Sequence, residues 1–288
     1  MSVPGTVERW VLAARVRTLP AAAVPVVIGA SLARPRTYNV ANTILCLVIA
    51  LALQIGTNYA NDYSDGIRGT DEVRVGPFRL TASKLVSSVS VRRAAFVFFF
   101  VAALAGLALS IRTTWVFIPL GMSAVAAGWF YTGGPKPYGY YGFGEIFVMI
   151  YFGFVATVGT AFAQHEHIPK GAWWWGLATG SMACALLEAN NLRDVEGDQA
   201  AGKKTLAARL GRHHASWLYA VFVAGAVIGA LYGGEGLVGA VALAMYIPAL
   251  QMAFSSKTGR ELLPLLKQSS HAQWTVGAVT AVVMFVTR

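Results

Sequence analysis

Two short polar stretches hold most of the acidic residues of this chain. Only 13 of its 288 residues are Asp or Glu. Seven of those acids lie in or just after segments 58–65 and 190–198: Asp62, Asp65, Asp71, Glu72, Asp194, Glu196 and Asp198. Each stretch follows a long apolar run. A carboxylate costs about 2.5–3.5 kcal/mol at the centre of a membrane-spanning helix, so acids in such a setting indicate a functional site.

In each stretch the oxygen-bearing side chains recur every three or four residues, which places them on one face of a helix. Mg²⁺ prefers hard oxygen ligands, taking one or two carboxylates and filling its other positions with water and phosphate oxygens. The two rows therefore predict a Mg²⁺ site that holds a diphosphate, with the four aspartates as catalytic residues. The predicted ligands are Asn58, Asp62 and Asp65 in one row and Asn190, Asp194 and Asp198 in the other.

Basic side chains near the rows would help the metal to neutralise a diphosphate. Arginine makes bidentate contacts with phosphate, and lysine contributes a point charge. The predicted diphosphate-binding residues are Arg17, Arg68, Arg79, Lys84, Arg193 and Lys203. Two other readings stay open. The acids could be solvated loop or capping charges, or they could form the ion pathway of a cation transporter, which would place them nearer mid-span.

The composition predicts an all-α, polytopic membrane protein. Hydrophobic residues make up 56% and charged residues 12% of the chain, whereas an ordinary soluble domain has about 25% charged residues. About 20 helical residues cross a hydrocarbon core. We expect one domain over residues 1–288, with about nine spans near 18–33, 41–61, 94–111, 114–131, 143–163, 172–191, 215–232, 236–254 and 271–287.

The basic residues predict the orientation of these spans. With the N-terminus in the cytoplasm, 18 Lys and Arg fall on the cytoplasmic side and 5 on the other, as the positive-inside rule requires. Both acidic rows then end inward-running helices and face the cytoplasm. Because the cations lie in loops between apolar segments, the net charge of +10 does not indicate a nucleic-acid partner.

Three motifs resemble the UbiA superfamily of intramembrane aromatic prenyltransferases. They are Asn61-Asp-Tyr-Ser-Asp65 continuing to Gly69, Asp194-Val-Glu-Gly-Asp198 followed by Gly202-Lys-Lys-Thr-Leu206, and Arg15-Val-Arg-Thr-Leu-Pro20 before the first span. Together with Tyr131-Thr-Gly-Gly-Pro-Lys-Pro-Tyr138, they are most similar to the branch that uses 1,4-dihydroxy-2-naphthoate. Many members carry an acid four residues after Asp65. This chain has Gly69 there, and Asp71 follows two residues later.

The resemblance implies a helical bundle around a central cavity, in a bacterial plasma membrane, with a site that faces the cytoplasm. It implies Mg²⁺-dependent transfer of a polyprenyl group from polyprenyl diphosphate to 1,4-dihydroxy-2-naphthoate, with loss of CO₂ and formation of demethylmenaquinol. Another aromatic acceptor, such as 4-hydroxybenzoate, is the alternative within the superfamily. The lipid bilayer is the remaining expected partner.

Four residues near the fourth and fifth spans are predicted to bind the aromatic acceptor or to shield a carbocation: Tyr131, Lys136, Tyr138 and Glu145. Tyrosine rings attract a cation, and Glu145 would orient an acceptor hydroxyl or act as a base. The competing readings are an interfacial aromatic belt for the tyrosines, a marker of the inner face for Lys136 and a loop-end charge for Glu145.

Overall fold

The described residues form helices joined by short loops. A computed structural model describes residues 5–33, 38–70 and 78–287, so Asp71 lies outside the described residues. A π-helix at Met149–Val158 joins α6 to α7, and 3₁₀ turns occupy Val16–Thr18, Tyr138–Tyr141 and Gly259–Leu262. The helices are α1 (Thr6–Ala13), α2 (Pro20–Ser31), α3 (Val40–Ile67), α4 (Ser88–Arg112), α5 (Phe117–Phe130), α6 (Gly144–Val148), α7 (Gly159–His165), α8 (Ala172–Ala200), α9 (Leu206–Tyr232), α10 (Gly236–Ala253) and α11 (Leu263–Thr287). The predicted all-α class is confirmed.

Each of the nine predicted segments coincides with a helix, but the helices differ in their ability to cross a bilayer alone. Within the described ranges, five are long and apolar enough: α3, α4, α9, α10 and the run Gly144–Gln164. A sixth crossing is possible if the segments Thr6–Thr18 and Pro20–Ser31, which meet at 53°, act as one bent span. Proline at the first position of α2 suits that bend, because a helix start needs no N–H from that residue. The protein is therefore a multi-pass membrane protein, and nine crossings stay a prediction.

Helix α8 lies at the centre of the bundle. Most of its 29 residues are buried, and it packs against α2, α9, α11 and the π-helix. Glycines allow the close approach, since a Cβ on Gly153 would lie 2.6 Å from the carbonyl oxygen of Gly176. Small residues serve the same purpose in other membrane helix interfaces. A helix in this position has little contact with lipid, so its polar C-terminal half is compatible with the fold.

Candidate active site

A cavity of about 1250 Å³ lies between the C-terminal halves of α3 and α8 and the walls formed by α4, α5 and the π-helix. Polar side chains from the two acidic rows line one end. Apolar and small residues line the other, among them Phe99, Gly106, Phe117 and Gly121. The cavity therefore offers a polar compartment that is continuous with an apolar one.

The two rows end in the same local structure. In α3 the N–H of Thr70 donates to the carbonyl oxygen of Asp65 at 3.2 Å, and in α8 the N–H of Lys203 donates to the carbonyl oxygen of Asp198 at 2.8 Å. The glycine before each donor, Gly69 or Gly202, has a positive φ of 73° or 72°. This is the Schellman arrangement, which favours glycine at that position. Asp65 and Asp198 thus occupy equivalent positions at the ends of their helices.

Asp65 connects three segments of the chain. Its Oδ1 accepts a hydrogen bond from the Tyr140 hydroxyl at 2.6 Å. Its Oδ2 lies 3.4 Å from Lys203 Nζ and 4.0 Å from Arg79 Nη2. Burial raises the pKa of Tyr140 above its usual value, and the negative charge of Asp65 raises it further. The tyrosine therefore keeps its proton and remains a donor to Asp65.

Asp62 performs a different task from Asp65. Its Oδ2 accepts a hydrogen bond from the N–H of Leu80 at 2.8 Å, and its Oδ1 accepts one from the N–H of Thr81 at 2.9 Å. The side chain is 1% exposed and lies outside the residues that line the cavity. Its carboxylate fixes the turn that carries Arg79 to the polar compartment.

In the second row, two neighbouring residues of opposite charge bind each other. Arg193 donates to both carboxylate oxygens of Asp194, from Nε at 2.8 Å and from Nη2 at 2.7 Å. Arg193 is 4% exposed and lines the cavity, whereas Asp194 does not. The remaining nitrogen of Arg193, Nη1, is buried and has no hydrogen-bond partner. A buried donor of this kind favours an anionic ligand, because an unsatisfied charged group is costly.

The structure divides the predicted cations into two groups. Arg17, Arg79, Arg193 and Lys203 line the cavity. Arg68 lies outside it, where it donates to the carbonyl oxygens of Thr132 and Gly134 and lies over the Tyr140 ring. Lys84 is exposed and also lies outside the lining.

Two of the four residues predicted to bind the aromatic acceptor line the cavity, and the other two do not. Tyr131 and Tyr138 line the cavity, with their rings 5.5 Å apart, and Tyr138 stacks on Phe147 at 4.0 Å. Lys136 is exposed and Glu145 is buried, and both lie outside the lining. The contacts of Glu145 are with other protein residues, so it has no direct access to a ligand in the cavity.

Several polar residues at the cavity were absent from the predicted set. They are Arg15, Thr18, Asn61, Asn191 and Thr205. Thr18 accepts hydrogen bonds from Gln54 and Asn58, so the turn Val16–Thr18 is tied to α3. The Arg15–Pro20 motif marked this turn in the sequence. Asn191 lies three residues before Asp194 and therefore also fits the three- and four-residue spacing, but the four-residue interval selected its neighbour Asn190.

The oxygen ligands at the cavity suit a magnesium ion that takes its remaining ligands from water and phosphate. Across the described residues, no three His, Cys, Asp or Glu side chains lie close enough to hold a metal ion. The predicted metal ligands that line the cavity are two carboxylates, Asp65 and Asp198, and the amides of Asn58 and Asn190. One or two carboxylates with water and phosphate oxygens are the usual surroundings of Mg²⁺.

Fold and site together define a multi-pass helical membrane protein with a compartment lined by basic and acidic side chains at the end of its central helix. The chain belongs to the UbiA prenyltransferase family, whose sequence model matches residues 22–262, and it is accordingly an enzyme.

Its curated relatives include the 1,4-dihydroxy-2-naphthoate octaprenyltransferases of Mycobacterium tuberculosis and Haemophilus influenzae. The first is 43% identical over 95% of this chain and 96% of the relative. The second is 32% identical over 91% of each chain. Among solved structures, a UbiA homolog from Archaeoglobus fulgidus bound to GPP and Mg²⁺ matches with a TM-score of 0.70 and 14% identity, over 97% of this chain and 100% of that chain.

Proposed function

We propose that this enzyme transfers a polyprenyl group from polyprenyl diphosphate to 1,4-dihydroxy-2-naphthoate, with loss of CO₂, and forms demethylmenaquinol and diphosphate. The observation that carries the proposal is the joining of a cationic, oxygen-rich compartment to an apolar one within a single cavity. The relatives that match more than nine-tenths of the chain bear the name of this reaction, which supports the choice of acceptor.

In this proposal Asp65 and Asp198 would hold Mg²⁺, with Asn58 and Asn190 as further oxygen donors. Bound there, the ion would neutralise charge that develops on the departing diphosphate. Asp62 and Asp194 then act as positioning residues, since their carboxylates hold the Arg79 turn and the Arg193 guanidinium. This assignment separates the four aspartates that the spacing treats alike.

The cations bind the diphosphate and stabilise its departure. When the allylic C–O bond breaks, the electron pair leaves with the diphosphate, and negative charge builds on its oxygens. Arg193 Nη1, Arg17, Arg79 and Lys203 are placed to meet that charge. Pre-organised donors aimed at developing charge are often the largest catalytic contribution.

The allylic carbocation is protected by the walls of the cavity. Tyr131 and Tyr138 line this region with their ring centroids 5.5 Å apart, and aromatic rings attract a cation. Exclusion of water prevents hydrolysis of the reactive intermediate. The isoprenoid tail extends along α4 and α5, where a Cβ on Gly106 or Gly121 would meet no atom within 4 Å.

We place the enzyme in a bacterial plasma membrane, with the polar compartment toward the cytoplasm. The distribution of 18 against 5 basic residues supports this orientation. The acidic rows lie at helix ends beside cations rather than along a polar path through the bundle, and that arrangement favours a diphosphate over a transported ion.

Purified protein with Mg²⁺ and labelled polyprenyl diphosphate tests the proposal when it is given either 1,4-dihydroxy-2-naphthoate or 4-hydroxybenzoate. We expect prenylated naphthoquinol and one CO₂ per product with the first acceptor only. Product with hydroxybenzoate alone would change the acceptor, and no product with either would overturn the proposal. A parallel assay in liposomes measures cation flux, which a transporter would show and this enzyme would not.

A further inference from the structure

Asn191 is a cavity-lining residue beside the second acidic row. One residue along a helix is a rotation of about 100°, so Asn191 points away from Asn190. It lies three residues before Asp194 and seven before Asp198, on the same side of α8 as these two acids, and it reaches α6 through its side chain. Its side chain is 8% exposed and lines the cavity. The amide nitrogen, Nδ2, donates to Glu145 Oε1 at 2.9 Å.

The surroundings determine which end of this amide is available to a ligand. Glu145 is 6% exposed, and its backbone carbonyl accepts a hydrogen bond from Cys184 Sγ at 3.2 Å. Glu188, fully buried, lies beside both Asn191 and Glu145. Glu145 Oε1 accepts the hydrogen bond from Nδ2, so Oδ1 of the same amide is the atom left for the cavity.

This amide lies near the aromatic wall of the cavity. A Cβ on Gly144, the residue before Glu145, would lie 3.3 Å from the Tyr131 ring and 3.4 Å from its hydroxyl oxygen. Tyr131 packs against Tyr138 with ring centroids 5.5 Å apart. An oxygen acceptor beside two aromatic rings suits a planar ligand that carries a hydroxyl group.

We propose that Asn191 Oδ1 accepts a hydrogen bond from a ring hydroxyl of the aromatic acceptor and that Glu145 is the positioning residue for this amide. The inference rests on the proposed function, since that function supplies a hydroxylated aromatic acceptor. A buried acceptor of this kind discriminates strongly, because an analogue without the hydroxyl leaves the protein group unpaired.

Steady-state kinetics with each substrate varied in turn test the assignment. Asn191→Leu, which preserves the approximate shape, is expected to raise the KM for dihydroxynaphthoate about tenfold, as loss of one buried hydrogen bond does. The KM for polyprenyl diphosphate is expected to stay within about twofold. A tenfold rise in the diphosphate KM with an unchanged acceptor KM would instead assign Asn191 to the metal and diphosphate.

Variants of Glu145 separate positioning from packing. Glu145→Gln keeps an oxygen acceptor for Nδ2 and is expected to retain the native acceptor KM, whereas Glu145→Met removes it and is expected to behave like Asn191→Leu. The double variant Glu145→Met with Asn191→Leu is expected to be no worse than either single variant. Additive losses would overturn the positioning role.

The control is Cys184→Ala, which disturbs the same buried cluster without removing an acceptor for the amide. It is expected to leave both KM values unchanged. Failure of the wild-type protein to prenylate dihydroxynaphthoate would refute the proposed function itself. Wild-type turnover with an unaltered acceptor KM in Asn191→Leu would refute this inference alone.

Discussion

The last acids of the two rows occupy equivalent positions, whereas the first acids bind different partners. Asp65 and Asp198 occupy the same position before a glycine cap, and both line the cavity. Asp62 binds two backbone N–H groups of a distant turn, whereas Asp194 binds the side chain of its own neighbour, Arg193. Equivalent cap positions thus identify the acids that line the cavity, and the first acids of the rows bind different protein partners.

This difference has a consequence for how each acid contributes. A carboxylate that anchors backbone stabilises a segment of the fold, and its loss is felt first in stability. A carboxylate that orients a cavity-facing guanidinium affects ligand binding directly, and its loss is felt first in turnover. Substitutions in the two rows can test this comparison.

The largest effect is expected at the acids in the equivalent cap positions. Asp65→Asn and Asp198→Asn keep the shape of the side chain but remove the charge that would hold Mg²⁺. We expect kcat to fall about 10³-fold in each variant, because electrostatic stabilisation of the leaving group is lost. Turnover of labelled polyprenyl diphosphate measures the effect. Activity above a tenth of wild type in both variants would contradict a shared metal site.

A smaller and contrasting pair of effects is expected at Asp194 and Asp62. Asp194→Asn releases one end of Arg193, so kcat/KM for polyprenyl diphosphate is expected to fall about 10–100-fold. Asp62→Asn places an NH₂ group against a backbone N–H and is expected to lower the free energy of unfolding by about 1.5–3 kcal/mol.

Thermal unfolding in detergent, followed alongside turnover, separates these two outcomes. Arg193→Lys is the companion variant for Asp194→Asn, and the two losses are expected to be non-additive because they disrupt one unit. If Asp62→Asn abolished turnover while melting like the wild type, Asp62 would be a direct ligand and the contrast between the rows would disappear.

The smallest effects distinguish two lysines that the sequence groups together. Lys203→Gln removes a cation that lines the cavity and contacts Asp65, so the KM for polyprenyl diphosphate is expected to rise about tenfold. Lys84→Asn removes an exposed charge and keeps a residue type that tolerates the positive φ of 59° at this position. The KM is expected to change by less than about twofold there. Equal effects of both would indicate a long-range electrostatic contribution instead of contact.

Much of the fold could be predicted from composition, because long apolar segments in a chain with few charges have few alternatives to a helical membrane bundle. The spacing of Asn58 with Asp62 and of Asn190 with Asp194 correctly drew attention to two helix ends. The glycine caps add a second correspondence between the rows. Asp65 corresponds to Asp198 through the glycine caps, a relation visible in the four-residue interval to Gly69 and Gly202.

The contacts of the site could not be predicted from local spacing. Asp62 meets the backbone of residues 80 and 81, and Asp65 meets Tyr140 and Lys203, which are 75 and 138 positions away. Such distances depend on how the helices pack. The sequence did not predict Asn191 as a site residue for a related reason, because its partner Glu145 lies on a different helix and 46 positions away.

The central position of α8 has a consequence for how the chain enters the membrane. Helices such as α4 and α10 are apolar enough to partition into lipid alone, whereas α8 is not among the described helices that meet this criterion. Its polar end requires partners, because an unpaired polar group in hydrocarbon costs several kcal/mol. Helix α8 therefore depends on α9 and the run Gly144–Gln164 for stable insertion. The helix that carries the second acidic row is thus one that inserts stably only together with its neighbours.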